Sequence, residues 1–185
     1  PQKYSQLGPC VAVADVNGDG LEDFFAGGAA GHPGKIVIQK ASGGFMEANL
    51  TQGVKMEEDL GAVFFDADGD KDKDLLITGG SFEFSSIRYN QPRLYLNDGK
   101  GNYSLDAAAL PVIEDITDAV STGDIDADGD MDLFIGGRLK PRQYPASPRS
   151  YILQNDAGKF TDITKSTNPV LEFPGMITGA LFTDF

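Results

Sequence analysis

The chain has 185 residues and a formal net charge of −13, because 28 acidic residues outnumber 15 lysines and arginines. This excess of carboxylates argues against a nucleic-acid partner, since phosphates would be repelled. Cys10 is the only cysteine, so no intrachain disulfide can form. No apolar run approaches the roughly 20 residues of a membrane-spanning helix, which argues against direct membrane insertion.

After an approach segment over residues 1–8, the chain repeats a set of four strand-like stretches three times. Within each set an acidic loop separates the first two stretches, and a tight turn separates the last two. The predicted strands are 9–15, 23–27, 35–40 and 45–49, then 60–66, 74–78, 93–97 and 102–106, and finally 119–124, 132–136, 150–155 and 159–164. Only residues 105–110 could form a helical turn. Four antiparallel strands in 50–60 residues are typical of a propeller blade.

The first acid of each acidic loop recurs at a nearly constant interval. Asp15, Asp66 and Asp124 are followed by Asp184 at the start of a fourth copy, with spacings of 51, 58 and 60 residues. Periods of this size indicate a propeller or an array. We therefore predict that 1–185 is an all-β partial propeller of four-stranded antiparallel meanders. It would hold three blades, at about 9–50, 60–107 and 118–165, and the first strand of a fourth at 178–185, within a longer protein.

Half of the acidic residues lie in the three loops, which we name loop 1 (15–23), loop 2 (66–74) and loop 3 (124–132). Acids or asparagine occupy positions 1, 3, 5 and 9 of each loop. So many neighbouring carboxylates repel one another unless a cation lies among them, and oxygen ligands at alternate positions suit calcium. The alternative is that these are Asp- and Gly-rich hairpin turns without metal. Three copies in register favour about three calcium ions.

The expected ligands follow from the first half of an EF-hand loop, which has the same spacing. Positions 1, 3, 5 and 9 would offer side chains, and position 7 its main-chain carbonyl. Site one takes Asp15, Asn17, Asp19, Asp23 and the carbonyl of Leu21. Site two takes Asp66, Asp68, Asp70, Asp74 and the carbonyl of Asp72. Site three takes Asp124, Asp126, Asp128, Asp132 and the carbonyl of Asp130.

We expect site three to bind calcium most tightly. Asn17 leaves site one with three ligand carboxylates, whereas site three has four. Position 6 of the loop calls for positive φ, which glycine adopts at no steric cost. Gly129 satisfies this in site three, but Lys71 stands there in site two and would cost on the order of 1 kcal/mol.

The loops, the Gly-Gly pairs that follow them and the stretch 94–103 resemble the FG-GAP/VCBS repeat family, which is related to the integrin α-subunit propeller. The run 8–20 is similar to large VCBS-repeat proteins of the bacterial outer surface that often carry an ASPIC/UnbV-type domain. The similarity covers residues 8–185. It implies a seven-bladed or similar propeller, bound calcium and an extracellular or cell-surface location, the bacterial outer membrane surface in particular. It implies no particular ligand.

A candidate ligand surface lies in the connections between the second and third strands, on the face opposite the metal loops. These connections are long in the second and third repeats, at 81–92 and 138–149, and long loops on a rigid scaffold often carry function. The candidate residues are Arg88, Tyr89, Arg138, Lys140, Arg142, Tyr144 and Arg149. The alternative is a solvated loop that binds nothing.

The sequence thus predicts a calcium-binding module of a cell-surface or secreted protein that binds or scaffolds a protein or a glycan. With Cys10 and His32 as the single residues of their kinds, no nucleophilic relay is visible, and we expect no enzyme activity. Two alternatives remain: a catalytic or non-catalytic part of a calcium-dependent polysaccharide-degrading enzyme, and a purely structural spacer. Because an open ring exposes apolar blade faces, the rest of the parent propeller or a second copy is a further expected partner.

Overall fold

The computed structural model describes residues 8–50, 55–81 and 86–183, and its strands form three four-stranded antiparallel sheets. Sheet 1 comprises β1 Val11–Ala14, β2 Asp23–Ala26, β3 Lys35–Gln39 and β4 Phe45–Asn49. Sheet 2 comprises β5 Glu58–Phe65, β6 Asp74–Gly80, β7 Arg93–Asn97 and β8 Tyr103–Asp106. Sheet 3 comprises β9 Ile116–Gly123, β10 Asp132–Leu139, β11 Tyr151–Asp156 and β12 Lys159–Asp162.

Each sheet is a meander in which strands that follow one another in sequence pair side by side. Helix within the described ranges is limited to α1, Thr164–Thr167, and two 3₁₀ turns, Ile87–Tyr89 and Pro169–Glu172. The predicted fold class, all-β with four-stranded antiparallel blades, is therefore confirmed.

Two local expectations were wrong. The first strands of sheets 2 and 3 begin earlier than predicted, at Glu58 and Ile116, because bulges in the pairing with β6 and β10 let the ladders continue. Residues 105–110 are not helical. Leu105 belongs to β8, and the carbonyl of Ala109 accepts a 2.9 Å hydrogen bond from the amide of Phe160 in sheet 3. A contact to a distant strand thus overrides the local helix propensity of the alanines.

The sheets stack face to face and enclose two main apolar cores, with a smaller cluster of Leu60, Ile116 and Leu139 between sheets 2 and 3. The core between sheets 1 and 2 contains Phe25, Leu75 and Ile77, and the core between sheets 2 and 3 contains Leu76 and Leu133. Alternate residues of β6 therefore face different neighbouring sheets, which explains why this whole strand is buried. Each fully buried side chain of this size contributes about 1.5–3 kcal/mol relative to exposure.

The first strands of neighbouring sheets lie next to one another, β1 against β5 and β5 against β9. The closest approach is at Gly61, where a Cβ atom would lie 1.9 Å from the carbonyl oxygen of Asp118. The hydroxyl of Thr78 donates a 2.6 Å hydrogen bond to the same carbonyl. This arrangement places the three acidic loops, each of which joins the first two strands of a sheet, at corresponding positions along the stack.

The two ends of the stack differ. Val11 and Val13 lie on the face of sheet 1 that points away from sheet 2 and are 63% and 59% exposed. At the other end, the extended segment 173–183 crosses sheet 3, where the amide of Ile177 donates to the carbonyl of Gly137 at 2.9 Å and that of Phe182 donates to the Ser121 hydroxyl at 3.0 Å. The predicted fourth-blade strand has no strand assignment over 178–183, and Asp184 lies outside the described residues.

None of the helices in the described ranges is long and apolar enough to cross a membrane.

Candidate metal centres

The three acidic loops share one internal hydrogen-bond pattern. The carboxylate at position 1 accepts the amide of position 6, with distances of 2.8 Å from Gly20, 3.0 Å from Lys71 and 3.1 Å from Gly129. The amide of position 7 donates to the carboxylate at position 5 in each loop, at 2.8–2.9 Å. The side chain at position 3 likewise accepts the amide of position 5. These bonds hold the side chains of positions 1, 3 and 5 in the same way in each loop.

Positive φ angles occur at positions 4 and 6 of each loop, whereas the sequence predicted one at position 6. At position 6, Lys71 has φ of 76°, and at position 4 of loop 3, Ala127 has φ of 62°. Each loop except loop 1 therefore carries one non-glycine residue in the left-handed region. The expectation that loop 3 is less strained than loop 2 was wrong. The number of ligand carboxylates favours site three over site one, but site two has four as well.

Position 9 is the buried anchor of each loop. Asp23, Asp74 and Asp132 are at most 1% exposed. In each case one carboxylate oxygen accepts the amide of position 2 of the same loop, at 2.8–3.1 Å. The other oxygen accepts an amide at the end of the third strand, at 2.8 Å. These carboxylates therefore fasten each loop to its own sheet, and their remaining lone pairs are available to a cation.

Carboxylate oxygens converge in two of the loops. Single oxygens of Asp66, Asp68 and Asp74 lie within 4.8 Å of one another in loop 2, and the same holds for Asp124, Asp126 and Asp128 in loop 3. In loop 1, where Asn17 replaces an acid, the described residues bring no three carboxylates this close. The structure therefore does not place Asp70 or Asp132 in these convergent groups. The clusters offer only oxygen, the donor that hard divalent cations prefer, and they fit such an ion.

Position 7 uses its side chain elsewhere. The carboxylate of Asp130 accepts the amide of Ala157 at 3.0 Å, in the turn between β11 and β12. The carboxylate of Asp72 lies beside Gly99 in the corresponding turn of sheet 2, where a Cβ atom would be 2.6 Å away. The side chains of this position thus connect the loop to the neighbouring turn. The main-chain carbonyl is the group that position 7 can offer to a cation.

Burial and mutual repulsion perturb the carboxylates of loop 2. Desolvation raises the pKa of Asp74 to about 6, against the lowering effect of the Asn97 and Ala67 amides, and the charges of Asp68 and Asp70 raise it further. Desolvation also raises the pKa of Asp68, and Asp70 and Asp66 add to that rise. A cation would favour the charged forms of both groups, so metal binding to this loop would release protons near pH 6.

The predicted ligand surface is partly committed to contacts within the chain. The Arg149 guanidinium forms ion pairs with Asp162 at 2.7 Å and Glu172 at 3.2 Å, and it lies 4.4 Å from the ring centroid of Tyr151. Arg138 lies 3.8 Å from Asp118. The remaining candidates are exposed or partly exposed: Arg88, which stacks on Tyr89 at 4.6 Å, with Lys140, Arg142 and Tyr144. The ligand surface itself stays a prediction.

Two buried asparagines, Asn97 and Asn155, contact the metal loops and were missed by the sequence analysis. Asn97 is the last residue of β7 and Asn155 the last but one of β11. The side chain of each donates a hydrogen bond to the loop of the preceding sheet. The available signal was that an Asn-Asp pair begins the turn in both repeats. The same pair is expected in an ordinary turn that contacts no metal loop, because asparagine is common at such positions.

Stacked four-stranded antiparallel sheets with an acidic loop between the first two strands of each define a protein of propeller-blade repeats. A family model described as FG-GAP-like repeat matches residues 15–77 and 80–135, which is more than half of the chain. The chain belongs to this family. A search of curated proteins found no significant match. The VCBS and ASPIC/UnbV parentage stays a prediction.

The loops differ in carboxylate number, and this difference predicts unequal effects of mutation. In calcium, Asp124→Ala should lower the melting temperature more than Asp15→Ala, because loop 3 has four side-chain ligand carboxylates and loop 1 has three. In chelator this order should not hold, because Asp15 accepts three backbone amides and Asp124 only two, so the contribution of bound metal is the loss in calcium minus the loss in chelator. Thermal unfolding of both variants in each condition measures this. Equal losses in calcium, or a larger loss for Asp15→Ala, would show that carboxylate number does not rank these sites.

Proposed function

We propose that this chain is a calcium-binding β-propeller module of a cell-surface or secreted protein, with a role in protein or glycan binding or in scaffolding. The observation that carries the proposal is the repeated loop geometry. The same hydrogen bonds orient the oxygens in all three loops, and three carboxylates converge within 4.8 Å in two of them. A charge cluster of this kind lowers its free energy when it holds a cation.

Calcium is favoured over other cations by the donor set. The loop positions offer carboxylate, amide and carbonyl oxygen and no nitrogen or sulfur donor, which disfavours zinc and copper. Flexible oxygen loops suit calcium better than magnesium, which demands a near-octahedral shell and retains water. Extracellular modules with such loops bind calcium at about 10⁻⁴–10⁻³ M. That range supports the proposed location outside the cell, where calcium is abundant.

A binding role is favoured over catalysis because few side chains could act as a nucleophile or a base. Burial raises the pKa of the Cys10 thiol to about 12, so it is not a nucleophile at neutral pH. His32 is exposed in the turn between β2 and β3. The long connections around Arg142 and Tyr144 lie on the opposite side of the sheets from the metal loops, and these exposed residues suit an acidic glycan or an acidic protein surface.

Titration calorimetry with calcium on the full chain tests the metal assignment. We expect saturable binding of about three ions with dissociation constants in the range given above, and weaker binding of magnesium. A glycan array and a pull-down, each with calcium and with chelator, test the ligand. The absence of any calcium heat, together with an unchanged melting curve, would contradict the proposed function.

We also propose that the exposed face of sheet 1 packs against another blade, from the rest of the parent propeller or from a second copy. Val13 and Phe24 are paired in register on this face, and their counterparts in sheet 2, Phe64 and Leu75, belong to the core against sheet 1. An apolar face of this kind costs free energy in water. Light scattering at micromolar concentration should show self-association of residues 1–185. A cooperatively melting monomer would contradict this.

A further inference from the structure

We propose that Asn97 and Asn155 couple neighbouring metal loops, so that a cation bound in one loop raises the affinity of the next loop for its cation. The inference rests on the proposed calcium binding and goes beyond it, because it assigns a positioning role to two residues that are not ligands. It is carried by hydrogen bonds that cross from one sheet to the next.

Asn97 contacts loop 1 and loop 2 at once. Its side-chain nitrogen donates to the carbonyl of Val16, position 2 of loop 1, at 2.8 Å, and to the carbonyl of Lys73, position 8 of loop 2, at 3.3 Å. Its backbone amide donates to the Asp74 carboxylate at 2.8 Å. Its side-chain oxygen accepts the amide of Gly101 at 3.0 Å. Both side-chain N–H groups are thus in use, so the side chain is held in one orientation.

Asn155 repeats this arrangement one sheet further along. Its side-chain nitrogen donates to the carbonyl of Ala67, position 2 of loop 2, at 2.8 Å, and to that of Met131 in loop 3 at 3.3 Å. Its amide donates to the Asp132 carboxylate at 2.8 Å, and it is 2% exposed. Two bridges with the same atoms and the same distances show that the contact belongs to the repeat. It is not an accident of one turn.

The two bridges join through loop 2. Asn97 donates its amide to one oxygen of Asp74, and the other oxygen of Asp74 accepts the amide of Ala67 at 2.8 Å. The carbonyl of the same Ala67 accepts the side chain of Asn155. A continuous set of buried hydrogen bonds therefore runs from loop 1 through loop 2 to loop 3.

This path couples the sites because, in loop 2, it passes through a carboxylate that would hold the cation. Asp74 is both a member of the convergent cluster in loop 2 and the acceptor of the Asn97 amide. A cation that fixes this carboxylate also fixes Asn97, and with it the position 2 peptide of loop 1. Buried hydrogen bonds in series strengthen one another. The coupling is reciprocal, so occupancy of loop 1 also favours loop 2.

Tyr103 lies beside loop 2, where its hydroxyl donates a 2.7 Å hydrogen bond to the carbonyl of Lys73, and it also lies near Asp23 of loop 1. Terbium, an oxygen-seeking substitute for calcium, luminesces when a nearby tyrosine is excited, and calcium competition then gives the affinity of loop 2. Tyr103→Phe should remove the signal, and Asp68→Ala should remove the part of it that comes from terbium in loop 2, which is the part followed below. The full chain contains no tryptophan that would obscure it.

The test removes the calcium site of loop 1 by mutation and measures the calcium affinity of loop 2. Asp19→Ala should weaken calcium binding at loop 2 by about fivefold or more, the lower end of typical coupling between sites. In an Asn97→Ala background, Asp19→Ala should have no further effect on loop 2. In an Asn155→Ala background the effect should persist. Asn102→Ala is a matched control, because within the described part of the chain this exposed asparagine forms its hydrogen bonds with Asp98 of the same turn.

Loop 3 allows the corresponding test of Asn155. Asp128→Ala vacates loop 3, and its effect on loop 2 should be lost with Asn155→Ala and kept with Asn97→Ala. If Asp19→Ala and Asp128→Ala leave the affinity of loop 2 unchanged with both asparagines intact, the coupling is refuted, whatever the asparagine variants do. Equal effects in all backgrounds would also refute it. If the unmodified chain binds neither terbium nor calcium, the proposed function fails instead.

Discussion

Chelation with EGTA should lower the melting temperature of this chain by roughly 10 °C relative to 1 mM calcium. Each site with a dissociation constant near 10⁻⁴ M contributes about 1.4 kcal/mol at that concentration, because the unfolded chain lacks the loop geometry. Three sites together contribute about 4 kcal/mol, and in a chain of this length 1 kcal/mol shifts the midpoint by about 2–4 °C.

Thermal unfolding followed by circular dichroism measures this effect. Calcium added back in excess should restore the original midpoint, and magnesium at the same concentration should restore only part of it. Sodium chloride at equal ionic strength is the control for general screening. Identical melting curves with calcium and with chelator would rule out the metal assignment for all three loops.

Gly61→Ala should destabilise the chain by about 3 kcal/mol or more, the largest effect we expect from a single methyl group. The new Cβ atom would lie 1.9 Å from the Asp118 carbonyl oxygen and 2.5 Å from the Thr78 hydroxyl. The first of these is backbone and cannot rotate away, so β5 and β9 must separate. That movement breaks the Thr78 hydrogen bond and loosens the core between sheets 2 and 3.

Gly179→Ala is the matched control, because no atom lies within 4 Å of its added Cβ and its φ is not positive. Urea unfolding should show a clear loss for Gly61→Ala and almost none for Gly179→Ala. The loss should be similar with calcium and with chelator, since Gly61 contacts no metal loop. A Gly61→Ala variant as stable as the parent chain would show that the sheets do not pack as closely as described.

The amino-acid sequence was sufficient for the repeat, the strand order and the location of the loops. Acids at alternate positions, such as Asp66, Asp68 and Asp70, and the apolar stretches after them are local patterns. A strand forms from its own alternation, and a loop from its own turn residues, so these elements can be read without knowing their neighbours. The four-stranded meanders and the convergence of oxygens in loops 2 and 3 follow from them.

Other features depended on contacts between residues far apart in the chain. Ala127 adopts positive φ because its loop must close between two paired strands, although alanine itself disfavours that conformation. Arg149 is drawn from the predicted ligand surface into ion pairs with Asp162 and Glu172. No local pattern specifies these partners, because the stacking of the sheets brings them together.

The loops could be predicted from the local sequence, whereas the asparagines that join them could not. The acids of each loop repel one another within nine residues, so their spacing alone indicates a cation. Asn97 and Val16 are 81 residues apart, and Asn155 and Ala67 are 88 residues apart. Their hydrogen bonds exist only because neighbouring sheets stack with their loops at corresponding positions. Local sequence thus determined where a cation can bind, and tertiary packing decided which loops are connected.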